Sequence, residues 1–266
     1  MLKSLLQRAQ IALRFFAYRI ESSNSHNLHS PFVFQLYRNV ICNKLNLDAY
    51  RLIEQQRKSL LADIRKIQIT DFGAGSLIKP SRTRKVSDIA RHSAKAAKFG
   101  KLLHRLVLFF KPGVILDLGT SLGVTTAYLA SAAPQGQVYT FEGCPATADI
   151  AKETFTKLHL PNIRLLQGNM DETLPALLEE VNKVDFVFLD GNHRLEPTLR
   201  YFNLCLQKAH EQSVFIFDDI HWSAEMREAW WQVKAHPQVL LTIDLFFIGL
   251  VFFRNKQPKQ HFVLKF

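Results

Sequence analysis

Cysteine is scarce in this chain. There are three in 266 residues, Cys42, Cys144 and Cys205, too few and too scattered for a disulfide framework or a zinc site. A reducing compartment is the simplest setting for such a sequence, and a cytoplasmic location is expected. No apolar run reaches the ~18 residues that a membrane-spanning helix needs. Arg8 and Arg14 interrupt the N-terminal apolar stretch, so no signal-peptide core is expected, although a mitochondrial-type presequence would tolerate those arginines. Internal repeats and low-complexity tracts are also missing. Acidic residues are thin in the first part of the chain: residues 1–112 hold 21 lysines and arginines against 6 acids, whereas residues 113–266 hold 13 against 17. Opposite balances suggest different jobs. A basic part suits a solvated surface, an anionic small molecule, nucleic acid or a membrane surface.

Apolar residues make up 47% of the chain, ample for a buried core. Leu2, Leu5, Leu6, Ala9, Leu13, Phe16 and Ile20 recur at helical steps, with Lys3, Arg8, Arg14 and Arg19 on the other face. Ser30-Pro31 opens an aromatic-rich helix through Tyr37, and residues 46–67 read as helix ending near Lys66. Asp71-Phe72-Gly73-Ala74-Gly75-Ser76 mimics a nucleotide loop. The basic, proline-bearing stretch behind it, through Lys85, is a poor helix start, so Asp71–Lys85 is expected to be a loop or flap. Val86–Phe110 reads as one or two helices.

From Val114 the rhythm becomes regular. Strand-like runs at Val114–Leu118, Gln137–Phe141, Ile163–Gln167, Asp185–Leu189 and Ser213–Phe217 alternate with helical segments Val124–Ala132, Ala146–Leu158, Glu172–Val181 and Glu196–Lys208. That alternation predicts an α/β fold, a doubly wound and mostly parallel sheet. After a helical Trp222–Lys234, the runs Val239–Leu245 and Ile248–Arg254 predict an antiparallel hairpin, and His261–Phe266 a short edge strand.

Asp117-Leu118-Gly119-Thr120-Ser121-Leu122-Gly123 ends the first regular strand. Gly119 would let the backbone approach a ligand, and Gly123 would let the helix pack on the strand. The spacing is D-x-G-x-x-x-G, without the further glycine that a dinucleotide pyrophosphate needs. The second strand ends at Glu142, a carboxylate suited to both ribose hydroxyls of an adenosine. The third leads to Asn169 and Met170, placed to border an adenine ring. The fourth ends at Asp190, followed by Gly191-Asn192-His193. The fifth ends at Asp218-Asp219, with His221 and Trp222 behind. Carboxylates gathered at neighbouring strand ends repel unless a cation or proton sits among them, and a hard divalent cation such as Mg²⁺ meets that need. Asp219 could instead cap the following helix.

Residues 98–254 resemble class I S-adenosylmethionine (SAM) dependent methyltransferases of the catechol and caffeoyl-CoA O-methyltransferase-like branch. The resemblance implies a seven-stranded sheet with an antiparallel final hairpin. It places Asp117, Gly119 and Ser121 at the methionine end of SAM, Glu142 at the ribose and Asn169 and Met170 at the adenine, with Thr120, Gly123 and Asp190 as further cofactor-binding residues. Asp190 and Asp218 match the family's metal aspartates, and Asp219 stands where the family has asparagine. His193 stands where catechol methyltransferases carry lysine, and its ordinary pKa of ~6.5 suits a general base. His221 is a second, weaker candidate. Lys98-Phe99-Gly100-Lys101 resembles the helix laid over the cofactor. The N-terminal part resembles only extensions of bacterial methyltransferases, notably at His29-Ser30-Pro31-Phe32.

The expected organisation is a basic helical extension over residues 1–70, a basic loop and lead-in helix over 71–97, and the SAM-binding domain over 98–266. The expected function is O-methylation of a small-molecule hydroxyl, an anionic acceptor being compatible with the basic segment and a homodimer with the rest. Two other readings stay open: an RNA methyltransferase that uses the basic extension, and a non-catalytic SAM-binding or membrane-associated protein.

Overall fold

The computed structural model describes residues 2–24, 28–70, 83–93, 96–254 and 258–266. The helices are α1 (Leu2–Glu21), α2 (Pro31–Leu36, continued by a π-helical turn Tyr37–Ile41), α3 (Asp48–Ala62), α4 (Val86–Ser93), α5 (Ala97–Phe110), α6 (Val124–Ala132), α7 (Pro145–Lys157), α8 (Met170–Glu180), α9 (Leu195–Leu206) and α10 (Ala224–Ala235). The strands are β1 (Lys66–Gln68), β2 (Thr83–Lys85), β3 (Val114–Leu118), β4 (Gln137–Glu142), β5 (Ile163–Gln167), β6 (Phe186–Leu189), β7 (Val214–Asp218), β8 (Leu241–Asp244), β9 (Ile248–Phe252) and β10 (Gln260–Val263). No helix of the described residues is long and apolar enough to cross a membrane. The chain divides into two compact units, residues 44–192 and residues 1–43 with 193–266.

In the first unit β3 pairs in parallel with both β4 and β6, and β4 in parallel with β5. All four residues of β6, and Ile115, Leu116, Asp117 and Leu118 of β3, are buried. A strand covered on both faces must be apolar throughout rather than alternating. α3, α4 and α6 close one side through Tyr50, Ile53, Leu60, Ile89, Ala127 and Tyr128. α3 ends at Ala62, earlier than the expected Lys66. Asp63 leaves helical geometry (ψ 112), and its Oδ1 accepts the Arg65 amide at 2.9 Å. Such an Asx turn redirects the chain into β1, which pairs antiparallel with β2. Thr83–Lys85 is therefore strand rather than loop, whereas Asp71–Ser76 and the stretch through Arg82 lie outside the described residues.

In the second unit β9 pairs antiparallel with β7 and β8, which gives the expected hairpin. β10 runs parallel to β8. Besides the β1–β2 pair, each unit supplies four paired strands, one more in all than the seven expected, and the additional one is β10. The N-terminal segment joins this unit. Ser23 N–H donates to the Val263 carbonyl at 2.9 Å, and the Tyr18 hydroxyl donates to the Leu264 carbonyl. Ser30 caps α2 with Pro31 in its first turn, and Phe32 meets Phe252 of β9 edge-on at 5.3 Å. Ser30 and Phe32 thus serve capping and packing, whereas His29 is exposed.

Candidate active site

Glu142 at the end of β4 is the best-defined polar group of the first unit. Its Oε2 accepts the Ser121 amide and its Oε1 the Cys144 amide, each at 2.9 Å. Ser121 itself sits at φ 48, so the turn after β3 aims its N–H at the carboxylate. One side chain thereby joins the loop behind β3 to the start of α7. A carboxylate fixed in this way presents acceptor oxygens of the kind that suits a vicinal diol.

Beneath the same loop lies a hydroxyl network. Asp117 is fully buried, and its Oδ2 accepts from Thr126 at 2.6 Å and Thr140 at 2.9 Å. Thr120 Oγ1 is 2.6 Å from Thr140 Oγ1, so the Thr120 hydroxyl points inward. Asp117 Oδ1 has no hydrogen-bond partner among the described residues. Burial pushes the Asp117 carboxyl up to about 7, and the nearby Asp190 and Glu142 charges add to that. The two threonine hydroxyls oppose the shift by stabilising the anion. Sequence reasoning missed Thr126 and Thr140. A threonine in each of two otherwise apolar elements beside a buried acid was the available signal.

Gly119 and Gly123 both allow close packing within the unit. Gly119 has φ +132, and a Cβ there would lie 2.9 Å from the Asp190 carbonyl oxygen. The close approach is therefore between the loops behind β3 and β6. At Gly123 (φ +80) a Cβ would lie 2.6 Å from the Phe155 ring, so this glycine admits α7 rather than its own strand. Asn169 caps α8 by accepting the Asp171 amide at 3.1 Å. Met170 is half-buried, and its Cε would stand 3.2 Å from a Cβ built at Gly191. Asp190 is half-buried at the end of β6, with its amide donating to Leu118 O at 3.0 Å. His193 follows, half-buried, in the loop before α9.

In the second unit Asp218 ends β7 fully buried, opposite Ile248 of β9. Asp219 adopts φ 51, donates its amide to Phe247 O at 2.6 Å and accepts the Trp222 amide at 2.9 Å. It does not cap α10, because Ser223 does so through the Met226 amide at 3.0 Å. His221 has a defined orientation: its Nε2 lies 2.8 Å from Asp244 Oδ2 and its ring stacks on Phe246 at 5.1 Å. Trp230 also donates to Asp244 Oδ2, at 3.2 Å, and is buried, while Trp222 and Trp231 are exposed.

The family model described as "Methyltransferase domain" matches residues 116–220, from the middle of β3 to just past β7. A catechol O-methyltransferase of Niastella koreensis is 28% identical over 124 residues, covering 46% of this chain and 55% of the relative. A transmembrane O-methyltransferase homologue of Rattus norvegicus is 33% identical over 116 residues, covering 42% and 43% respectively. The chain thus spans about half the length of the relatives it matches. A Bacillus cereus O-methyltransferase solved with S-adenosylhomocysteine (SAH) aligns with a TM-score of 0.56 at 18% identity, over 82% of this chain and 94% of that one. That likeness carries the fold. The matched residues hold the Glu142–Ser121 junction, the Asp117 network, Asp190, His193 and the Asp218–Asp219 strand end, whereas α1 to α5 lie outside them.

Proposed function

We propose that the chain is a SAM-dependent methyltransferase acting on a hydroxyl of a small molecule with the help of a divalent cation. The observation that carries this reading is Glu142, a carboxylate fixed by two backbone amides at the end of the second strand of the stretch that the methyltransferase model matches. In this reading Glu142 accepts the ribose hydroxyls, the Gly119–Gly123 turn faces the methionine end, and Asn169 and Met170 border the adenine. When bound, SAM supplies an electrophilic methyl on a sulfonium, and a divalent cation supplies Lewis acidity toward the acceptor hydroxyl. Asp190, Asp218 and Asp219 offer the hard oxygen donors that such a cation takes. His193 removes the hydroxyl proton at an imidazole nitrogen. The acceptor oxygen then attacks directly, so no side chain is needed as a nucleophile.

The test is methyl transfer from radiolabelled SAM to a panel of catechols with and without Mg²⁺, with products identified as methyl ethers by mass spectrometry. Asp190→Ala and Asp218→Ala are expected to lose turnover and keep SAH binding. Methylation at nitrogen, or transfer unaffected by chelators and by both substitutions, overturns the proposal as stated.

A further inference from the structure

Arg14 of α1 and Arg227 of α10 line one cleft of ≈ 410 Å³, together with Gln10, Trp222, Ser223 and Ala224. The described residues lining it include no carboxylate. Arg14 spends its hydrogen bonds on neutral acceptors, Gln10 Oε1 and the His221 carbonyl, both at 3.3 Å. Its pKa is lowered, first by burial and then by the Arg227 charge, so the two guanidiniums repel across the cleft. Two like charges around one opening, without an acid between them, form an arrangement that a bound anion would relieve. Trp222 is 41% exposed and adds a flat apolar wall.

The cleft also follows directly on the strand end that carries Asp218 and Asp219. The Trp222 amide donates to the Asp219 carbonyl at 2.9 Å, and Arg14 donates to the carbonyl of His221, two residues on, at 3.3 Å. α1 is fixed to this unit by Tyr18 and by Phe15, whose ring meets Phe246 edge-on at 5.0 Å. Arg14 therefore comes from a docked helix.

We propose that this cleft binds the anionic group of a planar acceptor, a carboxylate or phosphate carried on an aromatic ring. Guanidinium groups match such anions in bidentate geometry, and the Trp222 face takes the ring. The word "acceptor" rests on the methyltransferase reading, whereas the anion site stands without it. The basic extension then has a specific task, because it delivers one of the two arginines.

Isothermal titration of the full chain with 3,4-dihydroxybenzoate, neutral catechol, inorganic phosphate and SAH tests the proposal. Dihydroxybenzoate is expected to bind at least about ten-fold more tightly than catechol, the scale of one charge-assisted bidentate contact. Arg14→Gln and Arg227→Gln should each lose at least about five-fold of that affinity, with unchanged melting temperature for the exposed Arg227→Gln. Equal affinity for dihydroxybenzoate and catechol, or indifference to both substitutions, overturns it. Phosphate binding as tightly as dihydroxybenzoate overturns the planar-acceptor part. Arginine-dependent dihydroxybenzoate binding in a chain that fails to bind SAH keeps the cleft and removes the methyltransferase reading. SAH binding without any preference for the carboxylate does the reverse.

Discussion

The Ser121 amide donates to Glu142 Oε2 at 2.9 Å, and this single contact locks the turn behind β3 to the end of β4. The Cys144 amide takes the other oxygen. A glutamine at this position would present only one accepting atom to two donors. Glu142→Gln is therefore expected to destabilise the chain by about 1–3 kcal/mol, the cost of leaving one such amide without its partner. It should also weaken SAH by at least about ten-fold, which removal of a charged acceptor from a diol warrants. A thermal-shift series over SAH concentration reads both effects. Wild-type behaviour in that series would remove Glu142 from the cofactor site.

Gly119→Ala tests the junction between the loops behind β3 and β6. The φ of +132 and the 2.9 Å approach to the Asp190 carbonyl leave no place for a methyl group. A loss of about 2 kcal/mol or more is expected from the strained backbone alone. Chemical denaturation measures it directly, and an alanine variant as stable as wild type would mean that the loops sit farther apart.

Asp117 gives a pH signature. Its folded-state carboxyl is pushed up to about 7, above the ~3.9 of an unfolded aspartate. Between those values the folded chain keeps a proton that the unfolded chain releases, so the contribution is full below about pH 4 and is lost as pH rises toward 7. Asp117→Asn removes that contribution. Its melting temperature relative to wild type is expected to climb from pH 4 to pH 7, and a constant difference across that range would contradict the buried-acid assignment.

Two histidines compete for the role of base, and their separation is kinetic. His193→Ala is expected to lower kcat by about two orders of magnitude, the usual worth of a positioned base. His221→Ala should cost less than that, because Asp244 and Phe246 give its ring a structural post. The opposite ranking would move the proton transfer to His221.

Much of this was legible in the sequence, for identifiable reasons. Val114–Leu118 begins and ends where the apolar run does, because a central strand of a parallel sheet needs apolar residues on both faces. The hairpin was readable from two β runs with almost nothing between them. The helix read over 46–67 stopped at Ala62 because one side chain, Asp63, intervened, and no periodicity reports that. The parallel pairing of β10 with β8 needs a register that no local pattern sets, and the seat of the N-terminal segment depends on contacts more than 200 residues apart in sequence, such as Tyr18 with Leu264. At the site, residue types and spacing pointed to Glu142 and Asp117. The inward turn of Thr120 and its partners Thr126 and Thr140 needed three dimensions.

The most direct test of the cofactor assignment is calorimetric titration of the purified chain with SAH. Binding at one molecule per chain, with micromolar affinity that Glu142→Ala abolishes, is the expected result. Failure of the folded wild-type chain to bind SAH at millimolar concentration would contradict the account.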